Sequence, residues 1–227
     1  MNIPGLEGHS NILMLKVAKI AGSSIARGLR KVCAEENIDF LLLKEVKEDT
    51  RNSVIILPPD KVHIFRKQLK DVWENSFKFC VTRNPITKAI SGYNYHPACR
   101  GRSIQESFQY AESAGKDIYE LDWKNEKPQK LGDKYSLYNH LNAKQHEYLY
   151  EQIEGEYIPF YDFLIRFENI NEGIKEFNNL TGLNLKISHE NKGPKKKKDI
   201  SESDLNFIKE HFDKDFNLFN YSKEYPI

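Results

Sequence analysis

The sequence predicts one α/β domain over residues 1–227, built on a central parallel sheet of four or five strands flanked by helices. Two observations carry this. Short apolar runs of strand length, such as Asn11-Ile12-Leu13-Met14-Leu15 and Ser53-Val54-Ile55-Ile56-Leu57, alternate with longer stretches of helical periodicity. Of the 227 residues, 39% are hydrophobic and 12% aromatic, which suffices for one sizeable core. Strands that alternate with helices imply a sheet covered on both faces, with ligands at the carboxyl ends of its strands.

The first strand is read at 11–17, between the Gly8-His9-Ser10 cluster and Gly22-Ser23-Ser24. From Ser23, the residues Ile25, Ala26, Leu29, Val32 and Cys33 recur at helical spacing, and Ser23 or Ser24 stands where an N-cap belongs. Strands follow at 38–43 and 53–57, the second ended by Pro58-Pro59. Pro59 or Asp60 then opens a helix running to about Asn75, with Val62, Phe65, Leu69, Val72 and Trp73 on one face. A strand at 77–82 leads through Arg83-Asn84-Pro85 into a helix carrying Ala89, Ile90 and Tyr93. The stretch 97–137 is polar and aromatic with weak periodicity, and reads as irregular helices and loops over a site. A helix at 141–153, a strand at 163–167 and a helix at 170–180 ended by Thr181-Gly182 come next. The capping box Ser201-x-x-Asp204, with Ile200 and Leu205 as a hydrophobic staple, starts a last helix that ends near Phe212.

Charge excludes whole classes of partner. With 34 basic and 33 acidic side chains the net charge is +1, so nucleic acid and anionic membrane are not expected and any anion site is local. No apolar run approaches the ~18 residues of a membrane span. The first residues lack the basic and apolar regions of a secretory signal, which suits a cytoplasmic protein or a truncated lumenal domain. Cys33, Cys80 and Cys99 form neither a disulfide framework nor a metal spacing, so a reducing compartment and no metal are expected. Nothing in the sequence indicates an oligomeric state.

Two segments carry chemistry. The first strand feeds Lys16-Val17-Ala18-Lys19-Ile20-Ala21-Gly22-Ser23-Ser24 directly into a helix. Such a junction aims backbone amides and the positive helix end at one spot, a P-loop-like anion cradle. Gly22 would admit a phosphate to the main chain, Ser23 and Ser24 offer hydroxyls, and Lys19 offers a point charge. Because the lysine precedes the glycine, the spacing is not that of a triphosphate- and metal-binding loop. The second segment is Thr82-Arg83-Asn84-Pro85, with Ser91 eight residues after Arg83. An arginine at the end of a buried strand is costly without an anion, and its planar fork suits a phosphate. The plain alternatives are a capped polar turn and a surface arginine paired with a carboxylate.

These residues resemble the PAPS-dependent sulfotransferases, most closely the carbohydrate sulfotransferase branch. Ala18-Lys19-Ile20-Ala21-Gly22-Ser23-Ser24 is similar to the family's Pro-Lys-x-x-Gly-[Ser/Thr]-Ser loop, with alanine for proline. Thr82-Arg83-Asn84-Pro85 with Ser91 and Tyr93 is similar to its Val-Arg-[Asn/Asp]-Pro motif, with threonine for valine. The likeness extends in order to Lys144-Gln145-His146-Glu147-Tyr148-Leu149, Ile165-Arg166-Phe167-Glu168-Asn169, His189-Glu190-Asn191-Lys192 and Asp215-Phe216-Asn217-Leu218-Phe219-Asn220-Tyr221.

The resemblance implies that PAPS is the sulfuryl donor. Its 5′-phosphosulfate would lie on Lys19, Ala21, Gly22, Ser23 and Ser24, and its 3′-phosphate on Arg83 and Ser91. Lys192 and the run Lys195-Lys196-Lys197-Lys198 would close over the nucleotide, unless the run is merely a solvated charge cluster. Arg166, Glu168 and Asn169 read as a strand-end cap and ion pair. The acceptor would be a hydroxyl or amine, on a small molecule or a glycan. Tyr93, Tyr95, Tyr110, Tyr119, Trp123 and Tyr138 would stack on sugar rings or serve as core.

A catalytic base is expected after the strand that ends at Leu57. His63 is preferred, since a neutral imidazole takes a hydroxyl proton near pH 7. Asp60 at a helix start is a poorer base because the helix end favours its charged form. His96 is the other candidate, with His140 and His146 behind it. A P-loop-type nucleotide-dependent kinase and a noncatalytic nucleotide- or glycan-binding protein are the alternative functions.

Overall fold

Among the residues described by the computed structural model (5–58, 61–115, 132–187 and 200–225), seven strands lie along the chain. They are β1 Asn11–Leu15, β2 Asp39–Leu42, β3 Ser53–Leu57, β4 Ser76–Thr82, β5 Tyr150–Ile153, β6 Glu156–Pro159 and β7 Phe163–Arg166. Five of them pair in the order β2-β3-β1-β4-β7, every pair parallel. The α/β class and the upper strand count read from the sequence are those of the structure. Every residue of β1 and β3 is buried, whereas the edge strands β2 and β7 are half exposed. That gradient is why the central strands are continuous apolar runs: each fully buried aliphatic side chain is worth about 1.5–3 kcal/mol.

The helices are α1 Gly22–Glu35, α2 Val62–Gln68, α3 Lys70–Glu74, α4 Pro85–Tyr95, α5 Ile104–Gly115, α6 Gly132–Leu141, α7 His146–Leu149, α8 Ile170–Thr181, α9 Glu202–His211 and α10 Asp213–Leu218. The chain groups into two compact units. The first, Met1–Arg83 with Gln145–Asn191, holds the sheet and the β5–β6 hairpin. In it α1 packs on β2 and β3, and α8 on β7, with Phe177 of α8 4.5 Å from Phe79 of β4 between ring centroids. The second, Asn84–Lys144 with Lys192–Ile227, is helical around Ile86, Phe108, Leu141, Ile208, Phe212 and Phe216. Its fully buried Lys88 donates to the Ala143 carbonyl (2.7 Å) and lies over the Phe212 ring.

Several local expectations change. The helix read from Pro59 or Asp60 to Asn75 is two helices, broken at Leu69 (φ −127°, ψ 53°). In one straight helix, residues 63 and 73 would stand ~15 Å apart along the axis and ~80° apart around it. The break instead lets His63 and Trp73 both meet the Phe160 ring edge-on, at 5.7 and 5.8 Å. The helix read at 141–153 shrinks to α7, and Tyr150–Ile153 becomes one arm of a hairpin. Its two-residue turn, Glu154-Gly155, has φ of 52° and 91°, the left-handed pair that joins strands of matching twist.

Within 97–137, the described residues are more regular than expected. Ile104, Phe108 and Ala111 give α5 a buried stripe. A reciprocal box starts that helix: Ser103 Oγ accepts the Glu106 N–H (3.1 Å) and Glu106 Oε2 accepts the Ser103 N–H (2.7 Å). Ser201 caps α9 through the Asp204 N–H as expected, and Gly182 (φ 71°) ends α8. Past Phe212, however, the chain makes one more helix, α10.

The seating of α1 rests on one glycine. A Cβ on Gly28 would stand 2.5 Å from the Lys186 carbonyl oxygen and 2.8 Å from Leu185 Cδ1. Gly28→Ala gains about 1 kcal/mol of helix propensity and loses about 1–3 kcal/mol to overpacking against backbone that cannot swing away. The variant is expected to be less stable, by up to about 2 kcal/mol, in urea unfolding; a rise in stability would show that this contact yields freely.

Candidate active site

Strand order reverses at β1. The chain runs from β1 to β2 and β3 on one side, then to β4 and β7 on the other, and ligand crevices of open α/β sheets lie outside the carboxyl ends at such a reversal. β1 and β4 pair from Asn11↔Ser76 to Leu15↔Cys80, so the segments after Leu15 and after Thr82 leave the same edge. Those are the two segments that carried chemistry in the sequence.

The loop after β1 is held at both ends. Lys16 N–H donates to the Leu57 carbonyl (2.9 Å), extending the β1–β3 ladder, and Ala21 caps α1 with its carbonyl accepting the Ser24 and Ile25 N–H groups. Lys19 and Ala21 both have φ of 63°, in the left-handed region. For residues with a Cβ that conformation costs about 1–2 kcal/mol each. Alternating handedness of this kind turns successive N–H groups into a concavity that suits an anion. Ser23 and Ser24 are not the cap that the sequence suggested; the backbone of Ala21 takes that position, leaving Ser23 exposed and Ser24 buried.

Gly22 admits a neighbour, and the neighbour is Lys16. A Cβ at Gly22 would stand 3.0 Å from Lys16 Cγ and 3.2 Å from Cε, so the lysine stem crosses the start of α1 through the space the missing side chain leaves. The sequence alone points to a phosphate in that space; a lysine six residues before the glycine was the available signal for this packing. Burial pushes the Lys16 ammonium below its ordinary pKa. Lys19 is pushed further, to about 8, first by burial and then by the charge of Arg83.

Arg83 leaves β4 and turns onto this loop. Its Nη1 donates to the Lys19 carbonyl (3.2 Å), and its guanidinium lies 4.3 Å from the centroid of the Phe167 ring. Its backbone pairs with the side chain of buried Gln145. The first unit thus gathers Lys19, Ala21, Gly22, Ser23, Ser24 and Arg83. Ser91 is half-buried on α4 of the second unit. Phe167–Asn169 form a 3-10 turn that begins beside Arg166, and Asn169 occupies the N-cap of α8 without a side-chain cap bond.

His63 is exposed on α2, at the carboxyl side of β3, with its ring edge-on to Phe160. His96 belongs to the second unit, where its Nδ1 accepts the Ala98 N–H (3.3 Å) and caps the Pro97–Cys99 turn. A neutral imidazole has one lone pair, so that bond occupies the atom His96 would use as a base. His146 is buried against Tyr157, and His140 meets Tyr95 edge-on. Tyr93 is core, its hydroxyl donating to the Arg102 carbonyl (2.6 Å), whereas Tyr95 and Tyr110 are exposed. Asp60, Tyr119, Trp123, Lys192 and Lys195 to Lys198 lie outside the described residues.

A family profile described as the sulfotransferase family matches residues 6–222. Among solved structures, the sulfotransferase from Alicyclobacillus acidocaldarius aligns over 94% of this chain and 97% of its own, with 14% identity and a TM-score of 0.48. No curated protein matches the sequence significantly.

The Lys19 ammonium works against the fold. Its proton is lost near pH 8 in the folded protein and near 10.5 in the unfolded chain, so the penalty of a buried charge is present below 8 and fades between 8 and 10.5 as pH rises. Lys19→Met keeps the stem and removes the charge. It is expected to melt at a higher temperature than wild type at pH 7, with the difference vanishing toward pH 10.5; a lower melting temperature at pH 7 would place the net effect of the ammonium on the stabilising side.

Proposed function

Because this chain belongs to the sulfotransferase family, we propose that it moves a sulfuryl group from PAPS to a hydroxyl or amine, with a glycan as the acceptor class. One juxtaposition carries the reading of the site. The Arg83 guanidinium is bonded to the carbonyl of Lys19, so two cations from segments 64 residues apart share one sheet edge. Like charges so placed are costly until an anion lies between them, and a donor bearing phosphates at its 5′ and 3′ positions supplies two.

In this reading the acceptor oxygen or nitrogen attacks sulfur in line as the bond from sulfur to the bridging oxygen breaks. The electron pair of that bond stays on the bridging oxygen, which departs with PAP. Lys19 neutralises the charge that grows there, and the Gly22 and Ser23 amides at the start of α1 together with the Ser23 and Ser24 hydroxyls hold the 5′-phosphate. Arg83 recognises the 3′-phosphate. The motif that assigns Arg83 this role also carries Ser91, whose part rests on that motif alone. Lys192 and the following lysines keep the role of a closing segment on the same grounds. The acceptor proton passes to His63, which the start of α2 holds at the carboxyl edge of the sheet. His96 is the weaker candidate because its lone pair is engaged, and Asp60 stays third on the helix-end argument. A carbohydrate acceptor follows from the branch the motifs resemble, and Tyr95 and Tyr110 are exposed aromatic residues that would stack on it. A cytoplasmic location and a small-molecule or glycan partner complete the proposal. Membership of this family does not favour a kinase.

Thermal stabilisation by PAP is expected to exceed that by AMP or ATP, since only PAP presents a 3′-phosphate to Arg83. A charge-assisted bond is worth about 1.5–3 kcal/mol, so Arg83→Ala should weaken PAP roughly 10- to 100-fold and leave AMP nearly unchanged. Equal shifts from PAP and AMP in the wild type would remove the basis for Arg83. For the base, single-turnover sulfuryl transfer is expected to collapse in His63→Ala and persist in His96→Ala, with PAP affinity intact in both; the reverse pattern moves the role to His96.

A further inference from the structure

We propose that Gln145 is a positioning residue that holds Arg83 for the donor's 3′-phosphate and thereby sets how strongly the protein prefers PAP over AMP; this rests on the reading of Arg83 given above. The β4–β7 ladder stops at Thr82↔Arg166, the last residue of β4, and Arg83 follows directly beyond it. Its two backbone groups nevertheless need partners in a half-buried place. Gln145 provides both: Oε1 accepts the Arg83 N–H at 2.9 Å, and Nε2 donates to the Arg83 carbonyl at 2.8 Å. A single amide side chain thus pairs both backbone groups of Arg83 just past the end of β4.

The same side chain declines its local alternative. Gln145 occupies the N-cap position of α7, yet makes no cap bond to that helix. It is fully buried, so its amide is held in one place. With the Arg83 backbone pinned on one side, the guanidinium rests over Phe167 at 4.3 Å and reaches the Lys19 carbonyl at 3.2 Å. Bidentate recognition of a phosphate depends on the orientation of the fork, and a pinned backbone is what makes a long side chain directional. Gln145 itself touches no donor atom in this account. It acts only through Arg83, so it bears on the 3′-phosphate and not on the 5′ end of the nucleotide.

The test measures PAP and AMP affinity by calorimetry on wild type, Gln145→Met and Gln145→Asn. Methionine keeps the volume and removes both bonds; asparagine keeps the amide one methylene short. In Gln145→Met the preference for PAP over AMP is expected to fall at least about tenfold with AMP affinity within about twofold of wild type, and Gln145→Asn is expected to fall between the two. Should the methionine variant fail to fold, the asparagine variant carries the test alone. A folded variant that keeps the wild-type preference overturns the proposal, as does a parallel loss of PAP and AMP affinity, which marks a merely structural residue. A wild type that binds PAP and AMP equally overturns the reading of Arg83 instead, before any variant is compared.

Discussion

Parallel pairing of β1 with β4 is the constraint on which the site depends. In-register pairing from Asn11↔Ser76 to Leu15↔Cys80 means that both strands end at one edge, and both are too apolar and too buried to do anything else. Parallel neighbours need a long crossover, so the partner of β1 comes from far along the chain. The distance in sequence is therefore a product of topology: the carbonyl of Lys19 and the guanidinium of Arg83 meet because two buried strands lie side by side.

What meets there is unfavourable by itself. The loop carries two left-handed residues, Lys19 and Ala21, and its lysine is partly desolvated and repelled by Arg83. Lys16 adds a second ammonium with a depressed pKa, threaded past Gly22. Strain and like charge persist only where surrounding structure over-determines them, and here it does. The β1–β3 ladder holds the loop's start, the carbonyl of Ala21 holds the first turn of α1, and Gln145 holds Arg83. A protein selected for stability alone would discharge such a cluster, which is why it stands as the candidate site.

Much of this was legible in the residues. The strands announced themselves because a sheet covered on both faces requires uninterrupted apolar runs, and β1, β3 and β4 have them. The strand–loop–helix junction before α1 and the position of Arg83 just past β4 were readable because such a junction leaves its residue types at fixed spacing. The hairpin turn and the start of α5 are also written locally, in Glu154-Gly155 and in Ser103-x-x-Glu106, although the helical spacing of 141–153 and the weak periodicity of 97–137 point elsewhere.

Other features had no local trace. The break at Leu69 accompanies the meeting of His63 and Trp73 with Phe160, and the pairing of Gln145 with the Arg83 backbone joins segments 62 residues apart. By itself, then, the sequence determined the fold class and the spacing that brings the loop after β1 and Arg83 to one sheet edge, since hydrophobic period and motif spacing are local properties of the chain. Only the tertiary structure decided which side chains pin those residues in place, because a hydrogen-bonding partner or a packing neighbour is chosen by proximity in space, which the chain acquires only when distant strands pair.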